Sequence, residues 1–135
     1  MAGTYTPNFN LYKPSINEIG WAALVNNNWA AIDAALATAT GGIQILAKNV
    51  DYTIAAGVDV VLVDASGGNR VITLPAVALS NKRVIRIKKT DSSANLVTVD
   101  GNASDTIDGA LTKILGFQCQ ALTLICDGVT WHIFS

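Results

Sequence analysis

The 135-residue chain is 50 % hydrophobic and 14 % charged, with nine Lys and Arg against ten Asp and Glu and a mean hydropathy of +0.37. That length holds one domain, or a small domain with an appendage, and the apolar content excludes a disordered chain. The near-neutral balance offers no global attraction to nucleic acid or an anionic membrane, and no apolar run approaches the roughly eighteen residues that cross a bilayer.

Soluble chains carry roughly 25 % charged residues, so this one has too few to cover a small monomer. Part of its burial is therefore expected between subunits. Met1-Ala2-Gly3-Thr4 lacks the basic and then apolar pattern of a signal peptide, and none is expected. Cys119 and Cys126 do not make a disulfide framework and read as two separate packed thiols. With His132 the single histidine, a nucleophile has only one candidate base, and the chain is not expected to be an enzyme.

Residues 1–14 carry Pro7, Pro14 and aromatics without a helical or alternating period, so they read as an extended arm pinned by whatever it packs against. Ser15-Ile16-Asn17-Glu18 matches a capping box, and a helix is expected from about Ser15 to Ala37, ended by Gly41-Gly42. Trp21, Val25, Trp29, Ile32 and Leu36 are spaced to form one stripe. The opposite side is Ala and Asn, with Asp33 the only charge in the helix body. Such a helix either lies on its own domain or packs on both sides, against symmetry mates and a host surface. Five of the nine aromatics (Tyr5, Phe9, Tyr12, Trp21 and Trp29) fall in the first 30 residues. A unit this small cannot enclose them, which points to anchoring on another protein; packing within the unit is the other reading.

From Gly42 the period changes to two. Ile43–Ala47, Tyr52–Ile54, Val58–Val63, Val71–Leu74, Val84–Ile87, Leu96–Val99, Leu111–Ile114, Ala121–Cys126 and Trp131–Phe134 read as strands separated by Gly, Asn and Asp turns. Ile72/Leu74, Ile85/Ile87, Val97/Val99 and Leu122/Leu124 are the inward sets. The fold class is mainly β: an N-terminal arm and helix over residues 1–42, then an antiparallel β-sandwich or barrel-like domain over residues 43–135.

Three constellations have side chains that could carry chemistry. Lys82, Arg83, Arg86, Lys88 and Lys89 could form a phosphate- or glycan-binding patch, or a solvated strand whose charges guard an edge. The run Asp100–Gly109 is rich in oxygen ligands but fails as a calcium loop, because Asp105 stands at the turn glycine and Leu111 at the bidentate Glu. Turn-forming Asp and Asn explain it without metal. Alternation turns His132 away from the Trp131/Ile133 side, as a surface or subunit-contact residue. Of the aromatics after residue 42, Tyr52, Phe117, Trp131 and Phe134, most fit a core or the chain end. No metal or cofactor is expected.

Asn10-Leu11-Tyr12-Lys13-Pro14, Gly20-Trp21 and Asn26-x-Asn28-Trp29-x-x-Ile32-Asp33 resemble the N-terminal attachment segment of tailed-bacteriophage fibre and related virion proteins. The later motifs resemble a β domain at the ends of phage fibre, spike and decoration proteins. They are Asp51-Tyr52-Thr53, Asp59–Asp64, Thr73-Leu74-Pro75, Ile85-x-Ile87-Lys88-Lys89, Val97–Asp100, Ile107-Asp108-Gly109 and Asp127-Gly128-x-x-Trp131. The resemblance implies a homotrimer in the virion, docked to capsid or tail proteins through its N-terminal part, with the β domain outward. Phe9, Leu11, Tyr12 and Pro14 would form the docking strand, and Trp21, Val25, Trp29, Ile32 and Leu36 the helix packing stripe. Without a shaft of repeats, the layout suits a capsid decoration or short head fibre. The alternative is a receptor- or glycan-binding tip module of a tail fibre; host surface glycan is then a partner, and neither nucleic acid nor membrane is.

Overall fold

The structure is a computed structural model that describes residues 4–5, 7, 12–13, 22–39 and 41–135. Contacts divide the chain into two units, Met1–Gly42 and Ile43–Ser135.

In the first unit, β1 (Thr4–Tyr5) pairs antiparallel with β2 (Tyr12–Lys13), placing Thr4 opposite Lys13 and Tyr5 opposite Tyr12. Helix α1 spans Ala22–Ala39, two residues past the expected end. The proposed cap at Ser15 and Glu18 lies outside the described residues. Alanine-rich composition favours this helix intrinsically.

The second unit holds nine strands, one in each of the nine apolar runs. They form a five-stranded sheet in the order β11-β10-β7-β5-β3 and a four-stranded sheet in the order β4-β6-β8-β9. Through the first part the chain alternates between them. β3 (Ile45–Lys48), β5 (Val60–Val63) and β7 (Val84–Lys89) enter the first sheet; β4 (Tyr52–Thr53), β6 (Arg70–Thr73) and β8 (Val97–Asp100) enter the second. A strand's neighbour is therefore the run after next, which travels in the same direction. The pairs β3–β5, β5–β7, β4–β6 and β6–β8 are all parallel. β9 (Thr112–Leu115), β10 (Ala121–Cys126) and β11 (Trp131–Ile133) then add antiparallel pairs.

The expected antiparallel sandwich is thus corrected to two mixed sheets. The physical reason lies in the turns. Asp-Gly turn signals occur at Asp100-Gly101, Asp108-Gly109 and Asp127-Gly128, all from the end of β8 onward, where the pairing becomes antiparallel. At the second of these, Asp108 (φ 47°) and Gly109 (φ 79°) are both left-handed, as a tight hairpin turn requires, and Ile107 and Ala110 exchange backbone hydrogen bonds. The earlier connections cross to the facing sheet instead.

Both inner faces bury one core. Val61, Val63, Ile85, Ile87, Leu124, Cys126 and Trp131 come from the five-stranded sheet, and Ile72, Val97, Val99 and Leu115 from the other. The inward sets match the alternation, with Leu122 partly buried against the core. Each fully buried large side chain contributes roughly 1.5–3 kcal/mol of transfer free energy.

Corners between the sheets leave backbone N–H groups without a ladder partner, and aspartate side chains accept several of them. Asp51 accepts from Val71 N, Asp59 from Gln44 N, Asp91 from Ala65 N and Asp105 from Val77 N, all at 2.7–3.0 Å. Asn69 does the same for Leu96 N. These side chains tie one coil to another across sequence separations of 15 to 28 residues.

Candidate functional site

Helix α1 carries the first candidate surface. Trp29, Ile32 and Leu36, on one face at i, i+3 and i+7, are 38 %, 43 % and 41 % exposed in the single chain. Ala30, Ala31, Ala34 and Ala35 around them are exposed as well. Asp33, the single charge of the helix, is buried. The exposed surface is therefore apolar side chains, small residues and amides, with no ion to hold water. Val25 lies in the helix, but its side chain is outside the described residues, as is all of Trp21. The docking positions Phe9, Leu11 and Pro14 also fall outside them; Tyr12 is placed only by its backbone in β2.

The basic run divides as alternation requires but serves a different purpose from edge protection. β7 is the central strand of its sheet, whose edges are β3 and β11. Arg86 is exposed, whereas Lys89 turns inward with Ile85 and Ile87 and is fully buried. Its ammonium donates to Asp91 Oδ1 at 2.6 Å and to the carbonyls of Asp91 and Ser93 at 3.0 and 3.2 Å, so all three protons are placed. The Asp91 carboxylate also accepts from Ala65 N, Ser93 N and Ser93 Oγ. The Lys89 ammonium and these further donors hold its carboxyl well below the usual carboxylate range. Arg83 is likewise committed, donating from Nη2 to the carbonyls of Ala55 and Val58 at 2.7 Å each.

The Asp100–Gly109 run also bonds to the protein itself. Asp105 caps Val77, Asn102 Nδ2 reaches the Leu74 carbonyl at 3.5 Å, and Asp108 accepts from Ile133 N. Among the described residues no group of three or more His, Cys or Asp/Glu side chains is placed to hold a metal ion. His132 faces away from buried Trp131, with Nε2 2.8 Å from Asp127 Oδ2 and Nδ1 3.8 Å from Asp108 Oδ1. That contact, then the Thr130 and Val129 amides, keeps the Asp127 carboxyl well below its ordinary range. Two Asp-Gly turns thus meet at the last strand.

One reading of a side chain is corrected. Cys126 is buried, and burial pushes its thiol up, but Cys119 is exposed, because it sits in the β9–β10 turn with a left-handed backbone (φ 64°) rather than on a strand. Of the later aromatics, Trp131 is core, Tyr52 packs against that core and Phe134 follows β11 at the chain end, while Phe117 is exposed on that same turn. Ile43, Ile45, Leu79 and Val129 are further exposed apolar side chains of this unit.

One more feature is not legible in any single stretch of sequence. A shallow cleft of about 520 Å³ opens where the parallel strands β3, β5 and β7 end, lined by Ala47, Lys48, Asn49, Leu62, Asp64 and Thr90. No family model and no curated protein matches this chain. No helix among the described residues is long and apolar enough to cross a membrane.

Proposed function

We propose that this chain is a structural protein of a tailed-bacteriophage virion: a homotrimeric capsid decoration or short head fibre, or a tail-attached fibre. Its N-terminal segment anchors it, and the unit Ile43–Ser135 is displayed outward. The carrying observation is the exposed Trp29–Ile32–Leu36 stripe on a helix whose only charge is buried. An apolar stripe beside small residues suits close packing of like helices around a symmetry axis. The resemblance of Asn10–Pro14 and Gly20–Asp33 to virion attachment segments supplies the kind of host surface.

The test is imaging of particles that lack the protein, together with particles carrying Trp29→Ala. Loss of a projection from the particle, and reduced occupancy of the variant, are the expected results. Particles indistinguishable from wild type in both cases would contradict the proposal. A second reading, a receptor- or glycan-binding tip module, is favoured by one observation, the cleft at the ends of β3, β5 and β7.

A further inference from the structure

The cleft is built by strand register. Lys48, Val63 and Lys89 stand side by side on three parallel strands. One position further along, Asp64 N donates to the Lys48 carbonyl and Thr90 N to the Val63 carbonyl, both at 2.8 Å, so Asn49, Asp64 and Thr90 form the next row. Because faces alternate, this row points outward, opposite to buried Val63 and Lys89. It presents an amide, a carboxylate and a hydroxyl, spaced by about 4.8 Å from strand to strand. The outward row below it is Ala47, Leu62 and Lys88, paired across β3, β5 and β7; of these Ala47 and Leu62 line the cleft and give it an apolar floor.

The polar groups retain capacity for a ligand. The Asn49 side-chain amide makes no hydrogen bond among the described residues. Asp64 is ionised, with Oδ1 accepting from Ser66 N at 2.8 Å, and the Ser66 side chain and backbone hold its carboxyl below the usual range. Thr90 Oγ1 donates to the Val63 carbonyl at 3.1 Å, which leaves its lone pairs to accept. Lys48, which lines the cleft, has its Nζ 4.4 Å from the Tyr52 ring centroid. At the Thr90 end, Gln118 Nε2 donates to the Thr90 carbonyl at 3.3 Å, and the adjacent Phe117 is 78 % exposed.

We infer that this cleft is a binding site for a neutral saccharide. Its volume lies within the roughly 300–1,000 Å³ of small-molecule sites. A sugar ring offers what the two rows ask for. One hydroxyl donates to the Asp64 carboxylate while a neighbour exchanges hydrogen bonds with the Asn49 amide, and the ring's C–H face covers Leu62 and Ala47. Phe117 stands on the bordering turn as an aromatic surface for a further ring. This saccharide site rests on the second reading above and deepens it by naming the ligand and its contacts. Sugar binding that the substitutions leave unchanged would sink this site and not that reading. Because the site needs no second copy of the chain, its failure leaves the virion proposal untouched.

The experiment is amide-resolved NMR of the full chain titrated separately with galactose, glucose, N-acetylglucosamine and inorganic phosphate. The expected result is saturable shifts of the Asn49 side chain and the Asp64 and Thr90 amides with at least one sugar and none with phosphate. Asp64→Asn should weaken binding about tenfold or more, since it removes a charged acceptor. Asn49→Ala should weaken it by a smaller factor, and Val129→Ser, on the β10–β11 turn, should leave it unchanged. Thermal unfolding of Asp64→Asn separates a lost ligand contact from a lost fold; if that variant is unstable, Asn49→Ala alone decides. No shifts at these residues with any of the sugars, shifts with phosphate alone, or sugar binding unchanged by the substitutions would overturn the inference.

Discussion

The inner faces of the two sheets and the Trp29–Ile32–Leu36 stripe of α1 are both apolar in sequence and opposite in fate. Val61, Ile72, Ile87, Val99 and Trp131 are completely withdrawn from solvent by the second unit itself. Trp29, Ile32 and Leu36 keep about two-fifths of their surface in water. Hydrophobic burial in this chain is finished in one place and unfinished in another. A sheet pair can close its own core, because each coil covers the next and the corner aspartates satisfy the backbone. A single helix cannot cover its own stripe.

The largest effect that would sharpen this contrast is expected in the finished region. Trp131→Ala removes the largest fully buried side chain and should destabilise the second unit by about 3–5 kcal/mol, read from urea unfolding followed by far-UV circular dichroism. A loss below about 1 kcal/mol would mean the core tolerates the void and is not the closed structure described.

The next effect concerns the buried ion pair. Asp91→Asn leaves the Lys89 ammonium buried without its counter-ion and should lower the melting temperature clearly at pH 7. Adding Lys89→Met should recover part of the loss, because the unpaired charge is then gone. The pH dependence has a definite sign. Asp91 and Asp127 have folded-state values below their unfolded ones, so the stability they contribute is present above about pH 4 and is lost as the pH falls below it. Melting temperatures between pH 7 and pH 2 should show that decline in the wild type and a shallower one in Asp91→Asn. Identical acid slopes would place the acid sensitivity elsewhere.

The smallest effect on unfolding belongs to the unfinished region. Trp29→Ala, on an exposed helix face, should change the unfolding free energy of the isolated chain by no more than about 0.5 kcal/mol. It should instead weaken association of the chains, by roughly 1.5–3 kcal/mol for each Trp29 that an assembly buries, measured by sedimentation across a dilution series. A large loss of intrinsic stability with unchanged association would place Trp29 inside its own unit and erase the contrast.

Much of this architecture is legible in the sequence, for reasons the residues make plain. Alternation marks the nine strands and their inward faces, because a buried face demands apolar residues at every second position, and it places Lys89 inward among Ile85 and Ile87. It cannot say which strand lies beside which. Tyr52–Thr53 follows Ile45–Lys48 directly yet pairs with Arg70–Thr73, and nothing in either run records that crossing. The same limit hides the cleft, since Asn49, Asp64 and Thr90 become neighbours only through the register of three strands distant in sequence. The partner of Lys89 is two residues away, but its role needs the loop that brings Asp91 back over Ala65. The exposure of Cys119 is not legible, because turn geometry rather than strand period governs it.

The most direct measurement is the mass of the purified 135-residue chain in solution, by native mass spectrometry or sedimentation at micromolar concentration. Three times 14.1 kDa is the expected value, with the Trp29–Ile32–Leu36 surface protected from solvent labelling. A stable, freely soluble species of 14.1 kDa, with Trp29 open to labelling, would contradict it.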